Sequence, residues 1–205
     1  MTPVERSFDF ESDGRQLEGM LHEDDGGLAA VVLHPHPLYG GDMDNHVVLA
    51  VRAAFADAGA TTLRFNFRGA GRSQGAHDGG RGEADDARAA IRELRVLRPN
   101  CRMLLAGYSF GAQVAAAVAA AEPLAGLVLV SPPIAMGALT RLPEGVDTLI
   151  VTGEWDDIAP AGRLSELANR RTRVAVVEGA GHAWWPGVDR LAAEVAAFLR
   201  ELPDR

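Results

Sequence analysis

The feature that most restricts the fold of this 205-residue chain is a regular alternation of short apolar runs with segments of helical periodicity. A continuous apolar run such as residues 28–34 predicts a strand that is buried on both faces of a sheet. Further strands are predicted at 60–67, 102–109, 126–131, 147–153 and 172–179, and helices at 45–59, 82–99, 110–123, 161–169 and 187–202. This order predicts an α/β fold in which a mainly parallel, eight-stranded sheet carries helices on both faces.

The amino-terminal segment departs from that alternation. Residues 6–12 and 15–24 alternate apolar and polar side chains around Asp13 and Gly14, which predicts an antiparallel hairpin. Hydrophobic residues make up 47% of the chain, and no repeat or low-complexity linker divides it. We therefore expect residues 1–205 to form a single domain with a substantial core.

The charge balance restricts the classes of partner. A formal net charge of −8 argues against nucleic acid, whose recognition needs clustered basic side chains, and gives no attraction to anionic membranes. No apolar run reaches the roughly 18 residues that indicate a membrane span. The single cysteine, Cys101, and an amino terminus without the apolar core of a signal peptide favour a cytoplasmic protein.

A serine stands at the carboxyl end of one predicted strand, where α/β sheets bind their ligands. Gly107, Ser109 and Gly111 match the pattern G-x-S-x-G between a strand and a helix. In that context the serine occupies a strained turn, and the glycines remove side chains that would clash there. The N–H of Phe110, at the start of the helix, can then face a developing oxyanion, so Ser109 is the candidate nucleophile.

A serine hydroxyl is a weak nucleophile and needs a base. Among the six histidines, His182 lies on the loop directly after the last predicted strand, which places it at the same edge of the sheet. The alternative is a surface histidine beside the aromatic pair Trp184 and Trp185. The position after the strand favours His182 as the base.

The base needs a carboxylate that holds its tautomer and orientation. Asp156 and Asp157 both follow the predicted strand 147–153, and either would complete the chain order serine, aspartate, histidine. The other aspartate would then be solvated or would help to cap the helix after Pro160.

These residues resemble the α/β-hydrolase superfamily over nearly the whole chain. In that superfamily the acid commonly lies three residues after a strand-ending glycine, in a pattern that Gly153, Asp156 and Pro160 match, and the resemblance therefore selects Asp156 over Asp157. The stretch FNFRGAGRSQG (65–75) is similar to a second superfamily loop, F-D-x-R-G-x-G-x-S. Asn66 replaces the commoner aspartate there, at a position whose role is structural.

The stretch HPHPLYGGDMDNHVV (34–48) resembles a subgroup of small, lid-poor α/β-hydrolases related to the dienelactone hydrolases and carboxylesterases. The resemblance implies that this loop supplies the second oxyanion N–H, which a proline cannot donate. If His36 and Pro37 replace the His-Gly pair of the family, the donor is Leu38. If His34 and Pro35 replace it, the donor is His36.

Leu38 is favoured as that donor because Tyr39 and Gly40 then resemble the turn that follows in dienelactone hydrolases.

The same stretch also offers potential metal ligands: His34, His36, Asp42, Asp44 and His46. Their spacing matches no metallohydrolase pattern such as H-E-x-x-H, and a metal would leave the three separate strand-end residues unexplained. We expect no metal, and instead expect His34 and His36 to hydrogen-bond the loop backbone. The glycines at 69–75 complete neither a P-loop nor a dinucleotide fingerprint, so no cofactor is predicted.

The link between the strands at 126–131 and 147–153 is too short to form a sizeable cap. We therefore expect an open site, lined by side chains such as Tyr39 and Trp184, that accepts small or accessible acyl groups. The alternative for the tryptophans is packing at the start of the last helix. The expected function is hydrolysis of a small-molecule carboxylic ester or thioester through an acyl-enzyme. A peptidase, a lactonase or a non-catalytic binding scaffold are the alternatives.

Overall fold

The computed structural model describes residues 4–137 and 142–203. The strands are β1 Arg6–Ser7, β2 Phe10–Ser12, β3 Arg15–Leu17, β4 Gly19–His22, β5 Leu28–Leu33, β6 Ala60–Phe65, β7 Arg102–Tyr108, β8 Gly126–Val130, β9 Asp147–Gly153 and β10 Thr172–Val177. The helices are α1 His46–Asp57, α2 Arg81–Leu97, α3 Phe110–Ala119, α4 Ala161–Ser165 and α5 Val188–Glu201.

One sheet has the strand order β1-β4-β6-β5-β7-β8-β9-β10. The strands from β5 to β10 in this sheet are parallel, whereas β4 pairs antiparallel with both β1 and β6. The prediction of a mainly parallel, eight-stranded α/β sheet is confirmed.

The apolar runs are explained by burial on both faces of the sheet. Along β5, Ala29, Val31 and Leu33 belong to one core cluster, together with residues of α2, α3 and α4. The alternate residues Ala30 and Val32 belong to a second cluster on the other face, with residues of α1 and α5. Successive side chains of a strand point to opposite faces, so a strand between two helical layers must be apolar throughout.

The amino-terminal hairpin is more divided than predicted. Only β2 and β3 form the local hairpin around Asp13 and Gly14, whereas β1 pairs with β4 at the edge of the main sheet. Phe10 and Leu17 are buried, and the Phe10 ring lies 5.3 Å from that of Phe65 in an edge-on contact. The hairpin therefore folds over the sheet and extends its core instead of lengthening its edge.

Two helices end earlier than predicted. Helix α3 stops at Ala119, and Pro123 prevents the chain from continuing as a helix because it lacks an N–H and restricts the residue before it. Helix α4 stops at Ser165, since the Asn169 side chain accepts hydrogen bonds from the N–H groups of Arg171 and Thr172 and turns the chain into β10.

The connection from β8 to β9 occupies only residues 131–146, of which 138–141 lie outside the described part. A segment of this length forms no cap domain, so the carboxyl edge of the sheet is left open. Within the described residues, no helix is both long and apolar enough to cross a membrane.

Candidate active site

Ser109 occupies a sharp turn between β7 and α3, with a φ angle of 53° and a ψ angle of −115°. The left-handed region disfavours residues with a Cβ, so this conformation persists only where the surroundings impose it. A Cβ on Gly107 would lie 2.1 Å from the carbonyl oxygen of Gly111, and a Cβ on Gly111 would lie 2.5 Å from that of Leu33. Both glycines are therefore required for the strand and the helix to approach closely enough to form the turn.

The Ser109 hydroxyl meets the imidazole of His182. The distance from Ser109 Oγ to His182 Nε2 is 3.0 Å, and His182 lies on the loop that follows β10. The hydroxyl of Tyr108 donates to the His182 carbonyl oxygen at 2.6 Å and fixes the loop. Burial, with a smaller contribution from the charge of Asp156, raises the pKa of Tyr108 to about 12, so the phenol keeps the proton that this hydrogen bond needs.

Asp156 approaches the other side of the same imidazole. His182 Nδ1 lies 2.9 Å from Asp156 Oδ1 and 3.0 Å from Oδ2, and Asp156 is 3% exposed. Burial opposes ionisation of this carboxyl, but hydrogen bonds from His182, Ser131 and the Ala159 N–H outweigh it and lower its pKa. The ionised carboxylate requires the proton of His182 on Nδ1, which leaves the Nε2 lone pair facing the serine.

The neighbouring Asp157 is exposed to solvent. Sequence position alone did not decide between Asp156 and Asp157. In the structure, Asp156 is the one of the two that faces the imidazole.

Trp184 corrects one prediction about the lining of the site. Its side chain is 0% exposed and packs in the core cluster of α1 and α5, so it does not line an open cleft. Its indole Nε1 donates to Ser131 Oγ at 3.0 Å, and the Ser131 hydroxyl in turn hydrogen-bonds Asp156. Trp184 therefore lies behind the carboxylate, where it orients Ser131.

Sequence reasoning missed Ser131. The available signal was its position, since it directly follows β8, the strand beside β9, and so reaches the edge of the sheet that carries Asp156. Its φ angle of 45° is unusual for a residue other than glycine.

His34 and His36 hold the loop that follows β5, as predicted. His34 is fully buried; its Nδ1–H donates to the Pro35 carbonyl oxygen at 2.6 Å, and its Nε2 accepts from the N–H of Phe67 at 3.0 Å. His36 Nδ1 accepts from the N–H of Leu38 at 3.3 Å. Both imidazoles thus stabilise the loop backbone.

That last hydrogen bond bears on the prediction that Leu38 supplies the second oxyanion N–H. The Leu38 N–H has His36 Nδ1 as its acceptor, and the leucine side chain is 71% exposed outside the cleft described below. Among residues 4–137 and 142–203, no acceptor is recorded for the N–H of His36. The loop geometry therefore favours the alternative register, in which His34 and Pro35 replace the His-Gly pair.

The buried His34 makes stability depend on pH. Burial lowers its pKa to about 4, so between the ordinary histidine value of about 6.5 and pH 4 the unfolded chain binds a proton that the folded chain rejects. This contribution to stability is complete above pH 6.5 and falls as the pH drops through that window. From pH 7.5 to 4.5 we expect His34→Gln to lose about 2 to 3 kcal/mol less unfolding free energy than the wild type.

Urea unfolding of both proteins at the two pH values measures this difference. Equal pH dependence of the wild type and His34→Gln would contradict a buried, neutral imidazole at this position.

Asn66 has the structural role that the sequence indicated. Its Oδ1 accepts from the N–H of Met43 at 2.8 Å, and its Nδ2 donates to Glu18 at 2.6 Å. The amide thus ties the loop after β6 to the loop after β5.

The other polar residues of the His-Pro-rich stretch point to separate partners. Asp44 pairs with Arg64, and His46 Nε2 lies 3.1 Å from the carbonyl oxygen of Ala183. Asp42 Oδ1 accepts from the N–H of Asp44 at 2.9 Å. No cluster of three or more His, Cys, Asp or Glu side chains in the described ranges is arranged to hold a metal ion.

Ser109 and His182 open into a cleft of about 830 Å³. Its wall includes Phe110, Pro133, Met136 and Ile158, and Tyr39, which is 86% exposed, stands at its rim. None of the described residues that line it is lysine, arginine, aspartate or glutamate. The described lining of this open cleft therefore carries no formal charge apart from what its histidines take up.

Comparison with known proteins agrees with this architecture. A family model described as serine aminopeptidase, S33 (Hydrolase_4) matches residues 41–147. An alpha-beta serine hydrolase homologue from Coxiella burnetii is 33% identical, with a TM-score of 0.85 and coverage of 94% of this chain and 96% of that one. XC6422 from Xanthomonas campestris, an α/β serine hydrolase without lid, is 28% identical with a TM-score of 0.89, covering 100% of this chain and 98% of that one.

The uncharacterized protein RP471 from Rickettsia prowazekii is 40% identical over an alignment of 147 residues that covers 69% of this chain. The match spans only 62% of the length of that relative. Together with the strand order and the serine turn, these similarities show that the chain belongs to the α/β-hydrolase superfamily of serine hydrolases, in the family whose model is described as serine aminopeptidase, S33.

Proposed function

We propose that this protein is a serine hydrolase that cleaves a small or accessible carboxylic ester or thioester. The observation that carries the proposal is the hydrogen-bonded series from Ser109 Oγ to His182 Nε2, 3.0 Å, and from His182 Nδ1 to Asp156 Oδ1, 2.9 Å. A serine next to an oriented imidazole is the arrangement that makes a hydroxyl nucleophilic at neutral pH.

In the proposed reaction Ser109 Oγ attacks the carbonyl carbon, and its proton passes to His182 Nε2. The tetrahedral intermediate collapses as the imidazolium returns that proton to the leaving alcohol or thiol, which yields the acyl-enzyme. Water then attacks the acyl carbon, gives its proton to His182, and the acid departs as Ser109 regains a proton. Asp156 keeps the imidazole oriented and stabilises its charged form.

The developing oxyanion needs two N–H donors. Phe110 starts α3, and the first N–H groups of a helix have no partner within the helix, so its N–H is available beside the nucleophile. We propose the N–H of His36 as the second donor, since His36 lines the same cleft and its N–H has no recorded acceptor in the described residues. Each such donor contributes on the order of 3 kcal/mol to transition-state stabilisation.

The shape and charge of the cleft favour an ester or thioester over a peptide amino terminus. An aminopeptidase must hold the free ammonium group of its substrate, which calls for a carboxylate. The described lining of the cleft contains neither aspartate nor glutamate. A cytoplasmic location belongs to the same proposal, because Cys101 is a free cysteine without a partner for a disulfide in this chain.

A fluorophosphonate probe tests whether Ser109 is activated. We expect intact-protein mass spectrometry to show one adduct on the wild type, which peptide mapping assigns to Ser109. An ester and thioester panel on the same preparation then gives the preferred leaving group. A well-folded protein that takes up no probe would contradict the proposal and favour a non-catalytic scaffold that binds a small ligand.

A further inference from the structure

The cleft holds a second imidazole paired with a carboxylate, which the proposed reaction does not use. His77 lies in the loop between β6 and α2, and its Nδ1 is 2.7 Å from Glu83 Oε1. Glu83 is fully buried and accepts the N–H groups of Asp78 at 2.9 Å and Gly80 at 2.8 Å. The approach of His77 is poorly aligned for a hydrogen bond, so its contact with Glu83 is mainly electrostatic.

His77 stands beside His36. Their ring centroids are 4.6 Å apart, and the Phe110 ring contacts both, at 5.3 Å from His77 and 4.8 Å from His36. Phe110 directly follows Ser109, and all four residues line the cleft. The imidazole pair therefore lies on the surface that a substrate bound at Ser109 would touch.

The surrounding contacts define which ring nitrogens carry protons. His36 Nδ1 accepts the Leu38 N–H, so in the neutral ring the proton is on Nε2, which is a donor. A lone pair on His77 Nδ1 would face the Glu83 carboxylate oxygen at 2.7 Å, so in the neutral ring the proton is on Nδ1 and Nε2 is an acceptor. One donor and one acceptor thus remain for a ligand, on two rings whose centroids are 4.6 Å apart in the lining of the cleft.

We propose that His36 and His77 form a subsite that binds an uncharged hydroxyl group of the ester substrate, in its acyl or its alcohol part. A hydroxyl accepts from His36 Nε2–H and donates to His77 Nε2, so it satisfies both rings at once. The inference rests on the proposed function and names the class of substrate that the cleft selects, namely hydroxylated esters.

An anionic group fits this subsite less well than a hydroxyl. The described lining of the cleft contains no lysine or arginine, Glu83 lies directly behind His77, and the chain has a net charge of −8. A carboxylate can only accept hydrogen bonds, so it would face the lone pair of His77 Nε2 in the tautomer described above. A hydroxyl both accepts and donates, so it matches the two ring nitrogens.

Matched ester pairs test the subsite. On the alcohol side, the monobutyrates of ethanediol, propanediol and butanediol are each compared with the alkyl butyrate that carries methyl in place of hydroxyl. On the acyl side, methyl ω-hydroxyalkanoates of increasing length are compared with methyl alkanoates in the same way. For the wild type we expect kcat/KM to be about tenfold or more higher for the hydroxyl ester than for its methyl partner, at one or several of the chain lengths. A site built for a hydroxyl discriminates against a substrate that lacks it.

Variants of His77 separate recognition from general damage. We expect the ratio of kcat/KM for the hydroxyl ester to kcat/KM for its methyl partner to fall to one or below in His77→Phe. In His77→Gln, whose amide keeps a donor and an acceptor, we expect a ratio between that of His77→Phe and that of the wild type. His22 lies in β4 outside the cleft, so His22→Phe is the matched control and keeps the wild-type ratio.

The outcomes distinguish the subsite from the proposed reaction. Hydrolysis of the methyl partners with ratios near one at every length overturns the subsite and leaves the serine hydrolase intact. A preference for ω-carboxylate esters over both partners also overturns it. If the esters turn over too slowly to compare, phenylboronic acids replace them. The inhibition constants of the hydroxymethyl- and the ethyl-substituted acid are then measured by how far each slows labelling by the fluorophosphonate probe, and their ratio is compared between the variants. If the fluorophosphonate probe does not label the well-folded protein, both the proposed function and the subsite are contradicted.

Discussion

Ser109→Ala is expected to lower the kcat for ester hydrolysis by about 10⁶-fold, the loss found when a serine nucleophile is removed from such a site. The alanine cannot form the acyl-enzyme, so only transition-state binding by the oxyanion donors remains. Rates are measured at saturating substrate. The amount of folded protein is determined from its absorbance and from its cooperative unfolding transition.

The fold should tolerate this substitution. Among the described residues, the hydrogen-bond partner of Ser109 Oγ is His182 Nε2 alone. The turn depends on the flanking glycines rather than on the hydroxyl. Ser165→Ala is the matched control, because Ser165 is an exposed serine on α4 whose hydroxyl donates to the Ala161 carbonyl oxygen. Activity in Ser109→Ala above a tenth of the wild-type value, with Ser165→Ala normal, would exclude Ser109 as the nucleophile.

Asp156→Asn is expected to reduce kcat by about 10⁴-fold, whereas Asp157→Asn changes it less than about twofold. The lowered pKa of Asp156 means that the wild type presents a carboxylate to His182 at neutral pH. An amide can donate as well as accept, so asparagine allows the imidazole to carry its proton on Nε2, where the lone pair is needed. Asp157 is exposed and its neutralisation leaves that arrangement unchanged.

Steady-state kinetics of the two variants, measured side by side, decide the matter. The fluorophosphonate labelling rate gives a second readout, since it depends on the activated serine but not on a particular leaving group. Near-normal kinetics in Asp156→Asn, or a larger loss in Asp157→Asn, would show that the acid has been assigned to the wrong aspartate.

Much of the fold could be predicted because it depends on local pattern. Strands such as β5 and β8 lie between two helical layers and are therefore apolar at every position, which is readable without coordinates. The turn at Ser109 was predictable for a related reason, because its flanking glycines face backbone atoms that any side chain would strike.

Roles that depend on contacts between distant segments were predicted less well. Whether Trp184 is exposed depends on whether α1 and α5 leave room for its ring. In the structure the ring is buried between the sheet and those helices. The choice between Leu38 and His36 as donor at the oxyanion loop could not be made from the sequence, because the acceptor of the Leu38 N–H is a side chain whose orientation the sequence does not show.

The sequence by itself determined the strand and helix order, the serine turn and the chain order of the three candidate catalytic residues. These follow from periodicity, glycine sterics and residue type, all of which act over a few neighbouring positions. Only the tertiary structure decided that Ser131 and Trp184 support Asp156 and that His77, with Glu83 buried behind it, reaches the cleft beside His36. Those contacts join segments far apart in the chain, and their geometry is set by how the helices and loops pack on the sheet.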